Sequence, residues 1–260
     1  DIRQREKLIA MLISGDAWSP GAPDGRVLEM LSQAGVFLSG GVVVGSHAFN
    51  IYSNMLGIHW NTASTQTRDM DLASPHQIEV AMRPDAPNVK AVLMESGMSF
   101  FEVPALDRKS PSTSFKIRGQ EFHVDLLTPH KGQTSGEPTF LPHFNTYAYP
   151  VHFLEFLLAD TQAAAVPFRS GILVNVPHPA RFALHKLVVS QRRPAAQQTK
   201  ANKDVQQSSE LLALLLEDRP GDVWLALDAA QAMPEKFRLQ LKAGIENLPD
   251  DIRMSLGDSV

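Results

Sequence analysis

Two aspartates stand one residue apart in Thr67-Arg68-Asp69-Met70-Asp71-Leu72-Ala73, with apolar Met70 and Leu72 interleaved. On a β-strand, side chains alternate faces, so Asp69 and Asp71 point the same way with Cβ atoms roughly 6–7 Å apart. Two carboxylates at that spacing can grip one or two hard divalent cations such as Mg²⁺. Without a cation the pair repels, and a solvated strand end or an Asx-type turn is the alternative reading. A third carboxylate, Asp125, lies in the alternating run Glu121-Phe122-His123-Val124-Asp125-Leu126-Leu127. Phe122, Val124 and Leu126 share one face of that strand, and Glu121, His123, Asp125 and Leu127 share the other. Asp125 can therefore stand beside the first pair on a neighbouring strand, or simply face solvent.

A second kind of chemistry is offered by Val42-Val43-Val44-Gly45-Ser46. The valines read as a short buried strand. After Gly45-Ser46, the residues Ala48, Phe49, Ile51, Tyr52, Met55 and Leu56 recur at helical spacing until Gly57. A glycine lets main chain approach a ligand closely, and a helix N-terminus presents free N–H groups to phosphate. Ser46 adds a hydroxyl donor, although serine is also a common helix cap. Further on, Arg181, Lys186, Arg192, Arg193, Lys200 and Lys203 occur with no Asp or Glu between them, and His185 adds to them if protonated. That basic stretch reads either as a solvated helix face or as a surface for phosphate or nucleic acid. On the second reading, Lys186, on a helix one residue after His185, could cross to the cleft and neutralise a triphosphate.

The elements around these residues follow from periodicity. Helices are expected over Ile2–Ile13 and Val27–Gln33, and short ones over His76–Met82, Val89–Ser96 and His152–Ala159. Phe100–Val103 reads as a strand. Thr113–Ile117 and Glu121–Leu127 form a hairpin about Arg118-Gly119-Gln120, and Ala163–Phe168 and Ile172–Val176 a second one. Gly132–Tyr149 reads as a loop region. From Pro179 the pattern is wholly helical, over 179–193, 203–216, 223–233 and 234–245, with a frayed tail after Asp250. The chain thus divides into an N-terminal helical segment (1–35), a mixed α/β domain (36–177) and a C-terminal helical domain (178–260).

Bulk properties exclude several classes. The 260 residues are 43% apolar and 20% charged, ordinary for a globular chain able to bury a core. With no cysteine there is no disulfide and no thiolate-bound zinc or iron–sulfur centre, which fits the cytoplasm. The net charge of −4 means that nucleic acid can be met only by a local basic patch. No apolar run approaches the ~18 residues of a membrane span. The first residue is Asp1, not Met, so residue 1 is treated as an arbitrary edge. His59, His123, His143, His152, His178 and His185 do not fall into a zinc-ligand spacing. An EF-hand is excluded because the acidic stretch lacks the turn glycine and the closing glutamate.

The order of the pieces is informative. Gly45-Ser46, then Asp69-Met70-Asp71, then a separate Asp125 on a strand resembles the signature of the DNA polymerase β-like nucleotidyltransferase superfamily. More narrowly, Val44-Gly45-Ser46-His47-Ala48-Phe49, Leu56-Gly57 and Thr67–Ala73 look like a bacterial nucleotidyltransferase-like family. That family is distantly related to the toxins of AbiE-type toxin–antitoxin systems. The resemblance spans roughly Val36 to Leu216. It implies an α+β fold: a polymerase β-like mixed sheet with helices, carrying the three aspartates at one edge, followed by a C-terminal helical bundle.

By the same resemblance, Asp69, Asp71 and Asp125 would bind two Mg²⁺ (or Mn²⁺) ions and Asp125 would help deprotonate an acceptor hydroxyl. Gly45 and Ser46 would contact the β- and γ-phosphates of an NTP such as ATP. Lys186, Arg192 or Arg193, and Lys203-Asp204 would match the toxins' later basic and acidic motifs. The acceptor would be RNA or tRNA met through residues 181–203, a protein side chain or a small molecule, and an antitoxin is a conceivable partner. Two other classes remain open on the residues alone. One is a non-catalytic nucleotide- or RNA-binding module that keeps the fold. The other is a glycosyltransferase using D-x-D with a divalent cation, which the Gly-Ser turn and third aspartate disfavour.

Overall fold

The computed structural model describes residues 1–60, 65, 67, 69–75, 87–105, 107, 109–130 and 136–257. The helix expected at His76–Met82 lies outside them. The chain forms two units, Asp1–Val176 and Pro177–Val260. The unit break falls where the sequence turns wholly helical.

The first unit begins with helices α1 (Ile2–Ser14) and α2 (Ala22–Gln33). Strand β1 (Val42–Val44) runs directly into α3 (Gly45–Leu56), and β2 (Asp69–Ala73) follows. After α4 (Val89–Met94) come β3 (Phe100–Glu102), β4 (Ser114–Ile117), β5 (His123–Pro129), β6 (Thr139–Leu141) and β7 (Thr146–Val151). A short α5 (Leu154–Leu158) leads to the paired strands β8 (Thr161–Val166) and β9 (Ile172–Pro177).

The main sheet among the described residues has the order β1-β2-β5-β4-β3. It is mixed: β2 and β5 are parallel, while β1 with β2, β4 with β5 and β3 with β4 are antiparallel. Leu127 of β5 pairs with Ala73 of β2 on one edge and with Tyr149 of β7 on the other. Residues 139–151 therefore hold two strands joined by a single 3-10 turn (Pro142–Phe144), where a loop was expected. The Gly, Pro and aromatic content around them hid the alternation of Thr146-Tyr147-Ala148-Tyr149-Pro150, in which alternate residues are buried and exposed.

One sheet face is core. Met70, Leu72, Val124, Leu126, Phe115 and Ile117 are all buried, and α3 packs its Ala48, Phe49, Ile51 and Tyr52 against β1 and β2. Each such large side chain contributes about 1.5–3 kcal/mol by leaving water. This is why Asp69, Asp71, His123 and Asp125, at the alternate positions, must share the opposite, half-exposed face.

The second unit holds α6 (Pro179–Ser190), α7 (Gln198–Asp218), α8 (Pro220–Gln231), α9 (Glu235–Ile245) and α10 (Asp250–Leu256). Helix α6 is its centre, packed by α7, α8 and α9. Gly244 of α9 lets that helix close onto Leu187, since a Cβ there would lie 2.7 Å from the Leu187 main chain. The tail after Asp250 forms a helix where fraying was expected. Pro249 sets its start, and Asp250 and Asp251 place negative charge in its first turn.

Candidate active site

The site is built where β1 turns into α3. Val44 pairs with Asp71, so the next residue, Gly45, arrives beside the Asp71 carboxylate. Gly45 has φ +64°, and a Cβ on it would lie 2.2 Å from Asp71 Oδ2. No other residue type fits that backbone and that contact together. Helix α3 begins at Gly45 with Val44 as its cap, and the valine side chain offers no hydrogen bond to the first N–H groups. Those donors and the partial positive charge of the helix end point outward from the start of the helix.

The acidic residues come together through strand register. In the parallel β2–β5 ladder Asp71 lies directly opposite Asp125, and Asp69 opposite His123. Neighbouring strands are about 4.8 Å apart. The three carboxylates, 54 positions apart in sequence at their closest cross-strand pair, therefore share one patch of one face. His123 Nε2 is 3.2 Å from Asp69 Oδ1 and 3.6 Å from Asp125 Oδ2, so one imidazole touches both outer carboxylates. Asp69 and Asp125 keep side chains 32% exposed, open to a ligand from solution.

Among the described residues, no three histidine or acidic side chains are already closed around a common point as a metal-ligand set. The donor chemistry nonetheless fits divalent cations. Three half-exposed carboxylates on adjacent strands supply hard oxygen, and the cradle at Gly45 leaves the space in front of Asp71 that a Cβ would fill.

A family model described as "Nucleotidyltransferase" matches residues 23–232. The chain belongs to this nucleotidyltransferase family. A search of curated proteins found no match. The matched span of this nucleotidyltransferase takes in Gly45, Ser46, all three aspartates and the basic stretch of the helical unit.

That basic stretch has an internal partner. Lys186 Nζ is 2.6 Å from Asp204 Oδ1, and Arg193 Nε is 2.5 Å from Asp204 Oδ2. Lys186 is 9% exposed and Asp204 2%. Burial works to raise the Asp204 carboxyl, but Lys186 and Arg193 outweigh it and hold the group below the usual carboxylate range. The ammonium that the sequence offered to a triphosphate is thus engaged by a carboxylate inside the helical unit.

Arg192 and Lys203 are half-exposed on the same unit. His185 does not add to the positive charge as expected. It is buried, and its imidazole is pushed down to about 4, first by burial and then by Lys186.

Sequence reasoning missed two site residues. His47, the third residue of α3, is 2% exposed and joins Asp24 of α2 to the main chain of Asp69. A histidine inside an apolar helix start was its only trace. Asp24 lies ahead of the helix expected from Val27, in a stretch whose Gly and Pro content reads as loop, whereas α2 already begins at Ala22 and holds it in its first turn.

Proposed function

We propose that this nucleotidyltransferase moves a nucleoside monophosphate from an NTP onto an acceptor hydroxyl, using divalent cations held by Asp69, Asp71 and Asp125. The observation that carries this reading is the direct register of Asp71 with Asp125, closed on its other side by Gly45. Mg²⁺ or Mn²⁺, when bound there, would neutralise phosphate charge and make the acceptor hydroxyl easier to deprotonate.

The protein's own groups orient the reactants. Main-chain N–H groups at the start of α3, with Ser46, hold the β- and γ-phosphates against the helix end. Asp125 stands at the acceptor side and takes up the hydroxyl proton. The acceptor oxygen forms its bond to the α-phosphorus as the bond to the bridging oxygen breaks, and pyrophosphate leaves. Little covalent chemistry is asked of the protein beyond positioning and charge compensation.

The test is incubation of the protein with each labelled NTP and Mg²⁺, alone, with total RNA and with protein extract. Label transfer with pyrophosphate release is the expected result, and the arm that takes up label names the acceptor class. Asp71→Asn and Asp125→Asn should keep the fold and lose transfer. Full transfer by Asp71→Asn would overturn the proposal.

A further inference from the structure

The buried His47 has no place in the chemistry above, and its surroundings give it another task. Strand β1 ends at Val44, opposite Asp71, so Asp69 lies beyond the reach of that strand. The chain turns into α3 at Gly45, and the His47 ring comes to occupy the place where β1 stops. His47 Nδ1 lies 3.1 Å from the carbonyl oxygen of Asp69, and Nε2 lies 2.9 Å from Asp24 Oδ1. A carbonyl oxygen only accepts, so Nδ1 is the donor. The hydroxyl of Thr67 also donates to that carbonyl, at a longer 3.2 Å.

The ring therefore joins three elements: the first turn of α2, the first turn of α3 and the first residue of β2. These carry the anchor, the phosphate-facing turn and a metal-facing carboxylate respectively.

We propose that His47 is a positioning residue, a strut from Asp24 to the Asp69 main chain that sets where the Asp69 carboxylate stands relative to the Gly45-Ser46 turn. The inference rests on the reading of Asp69, Asp71 and Asp125 as cation ligands. Its effect is on cation affinity, because the residue it holds is a ligand and it touches no substrate. Groups of this kind behind metal ligands typically alter metal affinity or activity 10–100-fold when removed.

Two substitutions separate the two ends of the ring. Asparagine places its amide nitrogen close to where Nδ1 stands, and glutamine places its own close to Nε2. His47→Asn thus keeps the donor to Asp69 and drops Asp24, while His47→Gln does the reverse. Mn²⁺ is titrated by calorimetry into the full chain, with melting temperature recorded alongside and Asp71→Asn as reference. His47→Gln should weaken Mn²⁺ binding by about 10–100-fold, with His47→Asn staying within about threefold of the wild type.

Equal Mn²⁺ affinity in the two variants, whether unchanged or equally weakened, overturns the strut. If His47→Gln fails to fold, His47→Leu carries the test, since it fills the buried space and, like glutamine, gives up the donor to the Asp69 carbonyl. An affinity for Mn²⁺ indistinguishable from the wild type then overturns the proposal. The outcomes also separate the two readings. If Asp71→Asn binds Mn²⁺ like the wild type, the cation site itself is wrong and the strut falls with it. If Asp71→Asn abolishes binding while the His47 variants match each other, only the strut is lost.

Discussion

Replacing Gly45 with alanine isolates the closest contact in the site. The added Cβ would meet Asp71 Oδ2 at 2.2 Å, whereas ordinary contact begins near 3.4 Å. The carboxylate must therefore retreat by about 1.2 Å, and misplacing a reacting group by about 1 Å can lower turnover by about 10²-fold. The positive φ adds backbone strain of about 1–2 kcal/mol. For a chain of this size that lowers the melting temperature by roughly 2–8 °C, at about 2–4 °C per kcal/mol. Gly57 supplies the control. It has φ +69° with nothing within 4 Å of a built Cβ, so Gly57→Ala carries the same backbone strain without the contact. The assay is steady-state nucleotidyl transfer and thermal melting on both variants. Similar losses of stability are expected, with a fall in turnover only for Gly45→Ala. Equal turnover in the two variants would refute the argument that Gly45 exists to make room for Asp71.

Three further outcomes follow from the structure. Asp204→Ala leaves the nearly buried Lys186 without its carboxylate and should destabilise the fold by about 3–5 kcal/mol, read by urea unfolding. His185 stays neutral in the fold down to about pH 4, while the unfolded chain takes up its proton near pH 6.5. Its contribution is therefore full above that upper value and declines as pH falls through the window, by up to about 3 kcal/mol. Melting temperatures should drop from pH 7 to pH 5 more steeply in the wild type than in His185→Gln. Asn175 Nδ2 donates to the carbonyls of Phe37 and Gly41 at 2.7 and 2.9 Å, on the approach to β1. Asn175→Ala should lower stability by about 1–3 kcal/mol, measured by chemical denaturation.

What could be read in the sequence was local. The Val42–Val44 run, the Gly45-Ser46 turn, the D-x-D strand and the alternation of Glu121–Leu127 each report on their own backbone, and together they located the acidic face. What could not be read depends on partners from distant elements. No acid lies within Pro179–Lys203, yet Asp204 follows at once, and only the packing of α6 on α7 turns it back onto Lys186 and Arg193. His47 and Asp24 are 23 residues apart with no shared period, so their contact leaves no trace in spacing. Strand β7 was hidden by the composition of its surroundings although its alternation was present.

The sheet's order carries a consequence for the nascent protein. Strand β5 sits between β2 and β4, although both of those emerge from the ribosome before it. A growing polypeptide can hold the phosphate turn and the first two aspartates side by side and still lack Asp125. If Asp125 serves as proposed, transfer waits until the central slot of the sheet is filled, and a chain cut short before His123 is expected to be inert however well its early strands have paired.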